Sequence, residues 1–403
     1  MEQAYEVERT KLLEQKGFNE SRSYDAGAPE DQPLTGDLDA YIHRLRTFVN
    51  EFFDGNSFKV PLLAMLQRLE HHIPPPLYPD QPMSHTIYST NPGGFDQVPP
   101  IFLSWKDMLG EDGWKIEVAG DDLLEYWFGN LTRGTGSGTE RFRSWWTGIH
   151  KPVLKSDFLR YMLLLLRGGI YSDSDTKLQA HPHTWGNKAI PSIPPSLEPL
   201  LALMKGQIPT SVPSGNRTTL VLDDGLLPTS QPIPPPSIAN PDIGIVVSLE
   251  YDAFFRGQGD NWRTGWYARL IQVCQWTLMA KPFHPIMLDV VETVVRNLEK
   301  AAAAGNMAGA LNLSGPGPFS LRIFKSTDAV WRYLLVQYGL TPHEFLSRST
   351  DSHIGDVILL AANAFNVPGP KNLRDLIERE GPACCVRHDY MNRWHKSDKE
   401  AGR

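Results

Sequence analysis

The stretch KSDFLRYMLLLLRGGIYSDSDTKLQA, residues 155–180, decides the fold. Phe158, Tyr161, Met162, Leu165 and Leu166 recur at three- and four-residue spacing, with Ser156 and Asp157 at the start and Gly168-Gly169 at the end. That pattern predicts an amphipathic helix that stops at the glycine pair. Ile170 and Tyr171 then begin a short extended run, which delivers Asp173 and Asp175 where a buried strand should leave the core. Residues two apart on a strand share a face, so both carboxylates are expected to point one way and Ser174 the other.

Carboxylates are hard oxygen donors suited to Mn²⁺ or Mg²⁺, which take one or two of them and leave other positions to water and substrate phosphates. Such a pair fits a nucleotide diphosphate. The triplet by itself is not specific, since about one Asp-x-Asp is expected by chance in a chain of this size and ordinary composition. A solvated turn reads the same way. Asp157 and Arg160 lie three apart on the predicted helix, so they share a face. They can present an acceptor and a fork of donors to one ligand, or simply pair with each other.

Composition narrows the classes. With 403 residues, 41% hydrophobic and 21% charged, the chain can bury one large core or two smaller ones. The net charge of −7, with Lys and Arg dispersed, offers no basic face for nucleic acid or an anionic membrane. Cys274, Cys384 and Cys385 are too few for a disulfide framework. Sequons at Asn19, Asn130, Asn216 and Asn312 would permit glycosylation in a secretory lumen, although such triplets also arise by chance. No stretch approaches the roughly 20 apolar residues of a membrane span, and the first eleven residues lack a signal-peptide core.

Residues 1–36 are polar, Gly-, Pro- and Asp-rich after a short helical candidate, and are expected to form a flexible stem. Helical periods follow over residues 37–53 and 60–69, then a proline-rich, extended connection up to residue 97. Residues 114–119 read as a strand and 121–128 as the next helix, the βαβ alternation of a nucleotide-binding half. The glycine-rich run 134–138 has neither a GxGxxG nor a Walker spacing. Residues 190–242 are interrupted by proline throughout; a loop of that length is a lid, a binding loop or disordered, and it is placed over the acceptor side. Residues 243–250 read as a buried strand ending in Glu250, Tyr251 and Asp252, where acids can accept hydrogen bonds from sugar hydroxyls. Helices are expected over residues 284–304 and 327–338, and a late strand over 357–360.

Four blocks, in order, resemble glycosyltransferase family 32, the DXD-containing group typified by the initiation-specific α-1,6-mannosyltransferases. The first is VPPIFLSWK (98–106), similar to the family's opening strand; the second is the stretch from Lys155 to Thr176. The third runs from Gly244 to Asp252 and continues through Trp266, Arg269, Gln272, Gln275 and the KPFHP at 281–285. The fourth is the tail RHDYMNRWHK (387–396), preceded by a Ser-Gly-Pro-Gly turn at 314–317. The haloacid-dehalogenase-like phosphatases need a threonine two places after the second Asp, whereas Thr176 follows Asp175 directly.

The resemblance implies an α/β chain of GT-A type, an αβα sandwich with a mainly parallel, mixed sheet, over residues 98–396 and followed by a tail at 397–403. It implies Asp157, Arg160, Asp173 and Asp175 as catalytic residues, and Ser104, Trp105, Asp157, Arg160, Tyr161, Gly168, Gly169, Asp173 and Trp394 as donor-binding. Trp105 would stack on the nucleotide base. Glu250 and Asp252 would lie on the acceptor side, and Asp173, Asp175 and His388 would hold Mn²⁺ or Mg²⁺. Without the resemblance, His388 reads as a surface residue of a tail. The activity implied is transfer of mannose from GDP-mannose to an N-linked high-mannose glycan, with retention, in the Golgi lumen. The alternatives are another acceptor such as an inositol phosphorylceramide, or a sugar-binding protein without catalysis.

Overall fold

The computed structural model describes residues 36–71, 83–133, 137–149, 152–192, 242–252, 271–303, 320–346, 348, 350–362, 364–365 and 385–389. Among them the helices are α1 (Leu38–Phe52), α2 (Lys59–Glu70), α3 (Leu103–Leu109), α4 (Leu124–Leu131), α5 (Ser137–Gly148), α6 (Pro152–Arg167), α7 (Pro285–Ala303) and α8 (Ser320–Tyr338). The strands are β1 (Thr86–Thr90), β2 (Lys115–Ala119), β3 (Gly169–Ser172), β4 (Thr176–Leu178), β5 (Ile190–Pro191), β6 (Ile245–Asp252), β7 (Ile271–Val273), β8 (Thr277–Ala280), β9 (Ser352–Ile354), β10 (Val357–Leu360) and β11 (Val386–His388).

A nine-stranded mixed sheet runs in the order β2-β1-β3-β8-β6-β10-β9-β5, with β7 also paired to β6. β2, β1, β3, β6 and β10 all run in one direction, while β8 is reversed between β3 and β6. A separate ribbon joins β4 and β11. The central strands are buried on both faces, and their alternation shows it. In β10, Val357 and Leu359 enter one apolar cluster, and Ile358 and Leu360 enter the other. α1, α2 and α4 to α8 supply the first cluster, and α3 with the β4–β11 ribbon supplies the second. This is the layered α/β sandwich expected of a GT-A fold.

The glycine stop is a packing requirement as well as a helix terminator. Gly168 has φ of +66° and its N–H closes the last turn on the Leu164 carbonyl, the left-handed ending that glycine favours. Gly169 has φ of +107°, and a β-carbon there would lie 2.5 Å from the Thr86 carbonyl oxygen of the chain entering β1. Gly169→Ala is therefore expected to cost about 1–3 kcal/mol from backbone conformation alone, with the clash added. A urea unfolding midpoint unchanged from wild type would refute this.

Several expectations are corrected. α6 begins at Pro152, a turn before Ser156. The opening strand is not at residues 98–106, where Pro100–Phe102 forms a 3₁₀ turn and Leu103–Leu109 forms α3. It is β1, inside the proline-rich stretch read as a connection, and it pairs in parallel with both β2 and β3. β1 is an interior strand of the main sheet, which therefore takes in residues before 98. α1 and α2 likewise belong to the main core. α1 buries Tyr41, Ile42, Leu45, Phe48, Val49 and Phe52, the face its period predicted. Its Arg44 reaches the buried Asp289 of α7 at 2.9 Å. The stem at residues 1–35, residues 193–241 of the proline-rich insertion, the Ser-Gly-Pro-Gly turn and Trp394 lie outside the described residues. No helix among the described residues is long and apolar enough to cross a membrane.

Candidate active site

The carboxyl ends of β1 and β3 and the start of the reversed β8 meet at one edge of the sheet, the usual place for a ligand in an open α/β fold. β3 ends at Ser172, so Asp173, Ser174 and Asp175 form a turn into β4 rather than a continuing strand. Tight turning, not strand alternation, brings the acids together. The Thr176 N–H and hydroxyl both donate to the Asp173 carbonyl, at 3.2 and 2.7 Å. From the other side the Asp173 N–H donates to the Trp276 carbonyl at 2.8 Å.

Antiparallel pairing of β11 with β4 sets His388 opposite Thr176, and the Asp389 N–H donates to the Asp175 carbonyl at 3.0 Å. The tail residue thereby arrives beside the two acids. His388 Nε2 lies 3.2 Å from Asp175 Oδ1 and 3.9 Å from Asp173 Oδ2. One atom from each of the three residues falls within 4.8 Å of the others. Two carboxylates and one imidazole at this separation are a donor set that fits a divalent cation.

Arg160 of α6 is buried behind the acids. Its Nη2 donates to Asp173 Oδ1 at 2.8 Å and lies 3.2 Å from Asp157 Oδ1, so the intrahelical pair forms and is extended to the acidic turn. The guanidinium packs 4.5 Å from the centre of the Tyr171 ring. Its Nε and Nη1 have no hydrogen-bond partner among the described residues, a costly state for buried donors unless a ligand accepts from them. The Tyr171 hydroxyl is shared with Thr90 at 3.1 Å and Ser156 at 3.2 Å, joining the end of β1 to α6.

The charges reinforce one another. Burial alone would raise the Asp173 carboxyl, but Arg160 and His388 outweigh it and hold it below the usual carboxylate range. Burial would lower the His388 imidazole, and Asp173 and Asp175 outweigh that and raise it. Burial pushes the Tyr171 phenol up to about 12, keeping it a neutral hydrogen-bonding group.

Other residues expected at the site take different places. Trp105 is fully buried, with its indole N–H donating to Thr176 Oγ1 at 3.1 Å, so neither ring face is open to a base. Ser104 Oγ donates to the Ile101 carbonyl at 2.8 Å and accepts from Leu178 N–H at 2.9 Å. Both brace the turn from beneath. Gly168 and Gly169 are buried against neighbouring backbone. Tyr161 is buried, and its hydroxyl donates to Gln275 Oε1 at 3.0 Å. Gln275 stands in the β7–β8 turn rather than on a helix. Glu250 accepts from Gln272 at 2.7 Å and from the Trp276 indole at 3.3 Å, and Asp252 is fully buried opposite Ile271. Asp252 is closed off from solvent, while Glu250 keeps partial exposure.

Sequence reasoning missed Thr90, Asn91, Tyr171 and Trp276. Ser174 Oγ donates to Asn91 Oδ1 at 3.5 Å, so the end of β1 borders the acidic turn. The signal was present, because TIYST followed by Asn-Pro-Gly-Gly is a β-rich run closed by a turn.

Comparison with known proteins matches residues 126–190 to the family described as a glycosyltransferase sugar-binding region containing a DXD motif. The initiation-specific alpha-1,6-mannosyltransferase of Schizosaccharomyces pombe is 27% identical over 248 residues, 60% of this chain and 47% of that protein. The protein of the same name from Saccharomyces cerevisiae is 35% identical over 148 residues, 34% of this chain and 24% of its own. That from Candida albicans is 28% identical over 193 residues, 46% and 36% of the two chains. The matched region thus spans less than half the length of these relatives. No solved structure matches the chain. The acidic turn, Asp157 and Arg160 all lie inside the region similar to the DXD-containing glycosyltransferase sugar-binding family, with the sandwich fold around them.

Proposed function

We propose that the protein is a divalent-cation-dependent, retaining mannosyltransferase that moves mannose from GDP-mannose to a glycan, forming an α-1,6 linkage on an N-linked high-mannose acceptor. The observation that carries this reading is the convergence of Asp173, Asp175 and His388, atoms within 4.8 Å, at the edge where β3 leaves the sheet. The relatives' names support the sugar and the linkage. Work in the secretory pathway, in the Golgi lumen, follows from the same reading.

Asp173, Asp175 and His388 would hold the cation, Mn²⁺ or Mg²⁺. When bound there it supplies positive charge beside the leaving diphosphate, the main electrostatic task in glycosyl transfer. Arg160 keeps Asp173 ionised and fixed through a charge-assisted hydrogen bond. Its remaining N–H groups are suited to oxygens of the donor, and Asp157 to the sugar hydroxyls. Tyr171, Thr90 and Ser156 lock the helix carrying that pair against β1, so donor contacts are made on a preorganised surface.

The test incubates the full chain with a defined high-mannose glycan, a panel of sugar nucleotides and Mn²⁺, and reads products by mass spectrometry. One added hexose is expected with GDP-mannose alone, sensitive to an α-1,6-specific mannosidase and absent after chelation. No hexose gained from any nucleotide would overturn the proposal.

A further inference from the structure

Trp276 touches two of the three residues of the acidic centre with different parts of itself. Its carbonyl accepts from the Asp173 N–H at 2.8 Å, and its ring packs on the His388 imidazole at 4.8 Å between centroids, inclined by 51°. The indole is itself held in place. Its N–H donates to Glu250 Oε1 at 3.3 Å, Glu250 Oε2 accepts from the buried Gln272 at 2.7 Å, and the ring lies 6.0 Å from that of Phe365. Phe365 in turn bridges Val386, two residues before His388.

The β4–β11 ladder fixes the backbone of His388 but not the rotation of its ring. Asp173 and Asp175 lie on its Nε2 side, and they would repel each other if a wandering imidazole left them facing. The Trp276 indole closes off another side of the ring. It is 4% exposed and anchored through Glu250, so it is a rigid wall and not a mobile cap.

We propose that Trp276, clamped by Glu250 and Gln272, is a positioning residue that seats the His388 ring for cation binding and couples it to the Asp173 backbone. Glu250 then serves the cation site indirectly, in place of the acceptor role its strand-end position suggested. The inference rests on reading Asp173, Asp175 and His388 as cation ligands. Partners that orient metal ligands from behind are typically worth 10- to 100-fold in metal affinity.

The test titrates Mn²⁺ into the full chain by calorimetry, without nucleotide or glycan. Trp276→Leu is expected to weaken binding by about 10- to 100-fold, and Trp276→Phe, which keeps an aromatic wall but loses the indole N–H that Glu250 holds, by less than Trp276→Leu. In a His388→Ala background, Trp276→Leu should cause no further loss, because the tryptophan acts through that ring. Equal losses with and without His388 would show general damage and overturn the proposal. Wild-type affinity in Trp276→Leu overturns it while leaving the cation reading intact, and absence of Mn²⁺ binding by the wild type overturns both. Should Trp276→Leu fail to fold, Trp276→Phe decides by fluorescence. Paramagnetic Mn²⁺ must quench a component of wild-type emission that this variant lacks, and identical quenching overturns the proposal.

Discussion

If the proposed activity holds, Asp175→Ala is expected to lower mannosyl transfer by about 10³-fold or more while the protein stays folded. Asp173 shares one oxygen with Arg160 at 2.8 Å, whereas Asp175 Oδ1 faces His388 Nε2 at 3.2 Å. Of the two acids, Asp175 therefore offers the more direct pairing with the imidazole. Alanine removes its carboxylate but keeps the backbone carbonyl that accepts from Asp389 at 3.0 Å, so the β4–β11 ribbon retains its closing hydrogen bond. Calorimetry with Mn²⁺ should show binding lost, and thermal unfolding should stay near wild type. Substantial turnover in folded Asp175→Ala protein would remove the acidic turn from the reaction.

The largest effect on stability is expected far from that edge, at Asp289. Its side chain is completely buried on α7, and Arg332 of α8 grips it with Nε to Oδ2 at 2.9 Å and Nη2 to Oδ1 at 2.8 Å. Arg44 of α1 adds a third bond at 2.9 Å. One carboxylate thus ties together three helices distant in sequence. Asp289→Ala takes from Arg332 the carboxylate it grips twice and leaves Arg44 with Glu292 alone, and breaking such a pair costs about 3–5 kcal/mol. The lower end is expected, because Arg44 and Arg332 are 34% and 24% exposed and water can reach them. Equilibrium urea unfolding measures the loss, and a change under about 1 kcal/mol would contradict the argument.

The same group sets an acid limit on the wild type. Burial would raise the Asp289 carboxyl, but Arg332 and Arg44 outweigh it and bring it down to about 2, against about 3.9 in an unfolded chain. A depressed carboxylate stabilises fully above the unfolded value and loses that contribution as pH falls through the folded one. The contribution is about 2–3 kcal/mol, disappearing between about pH 4 and pH 2. Asp289→Asn should flatten the stability profile in that window and leave its shape above it unchanged.

How far the sequence could be read depended on the range of the interaction. The apolar period of residues 155–167, the glycine stop and the two acids are local patterns, and they specified α6, β3 and the position of the turn. The face of α1 and the presence of α7 were legible for the same reason, as was β6 from its continuous apolar run. β1 was not, because prolines on both sides masked a five-residue strand, and a motif likeness drew attention to α3 instead. Trp105 shows why a motif match can mislead. The residue stands where the likeness put it in sequence, but burial against Thr176 makes it a brace.

By itself the sequence determined that a helix ends at Gly168 and that two carboxylates follow a short strand, since both outcomes depend on neighbours within a few residues. Only the tertiary structure decided that the acids converge in a turn, and that a strand some 210 residues later would bring His388 to them. The clamp of Glu250 and Trp276 behind that histidine was also beyond local reading. Strand pairing joins residues without regard to their distance along the chain, and the choice of partner is fixed only when the whole two-sided core is buried.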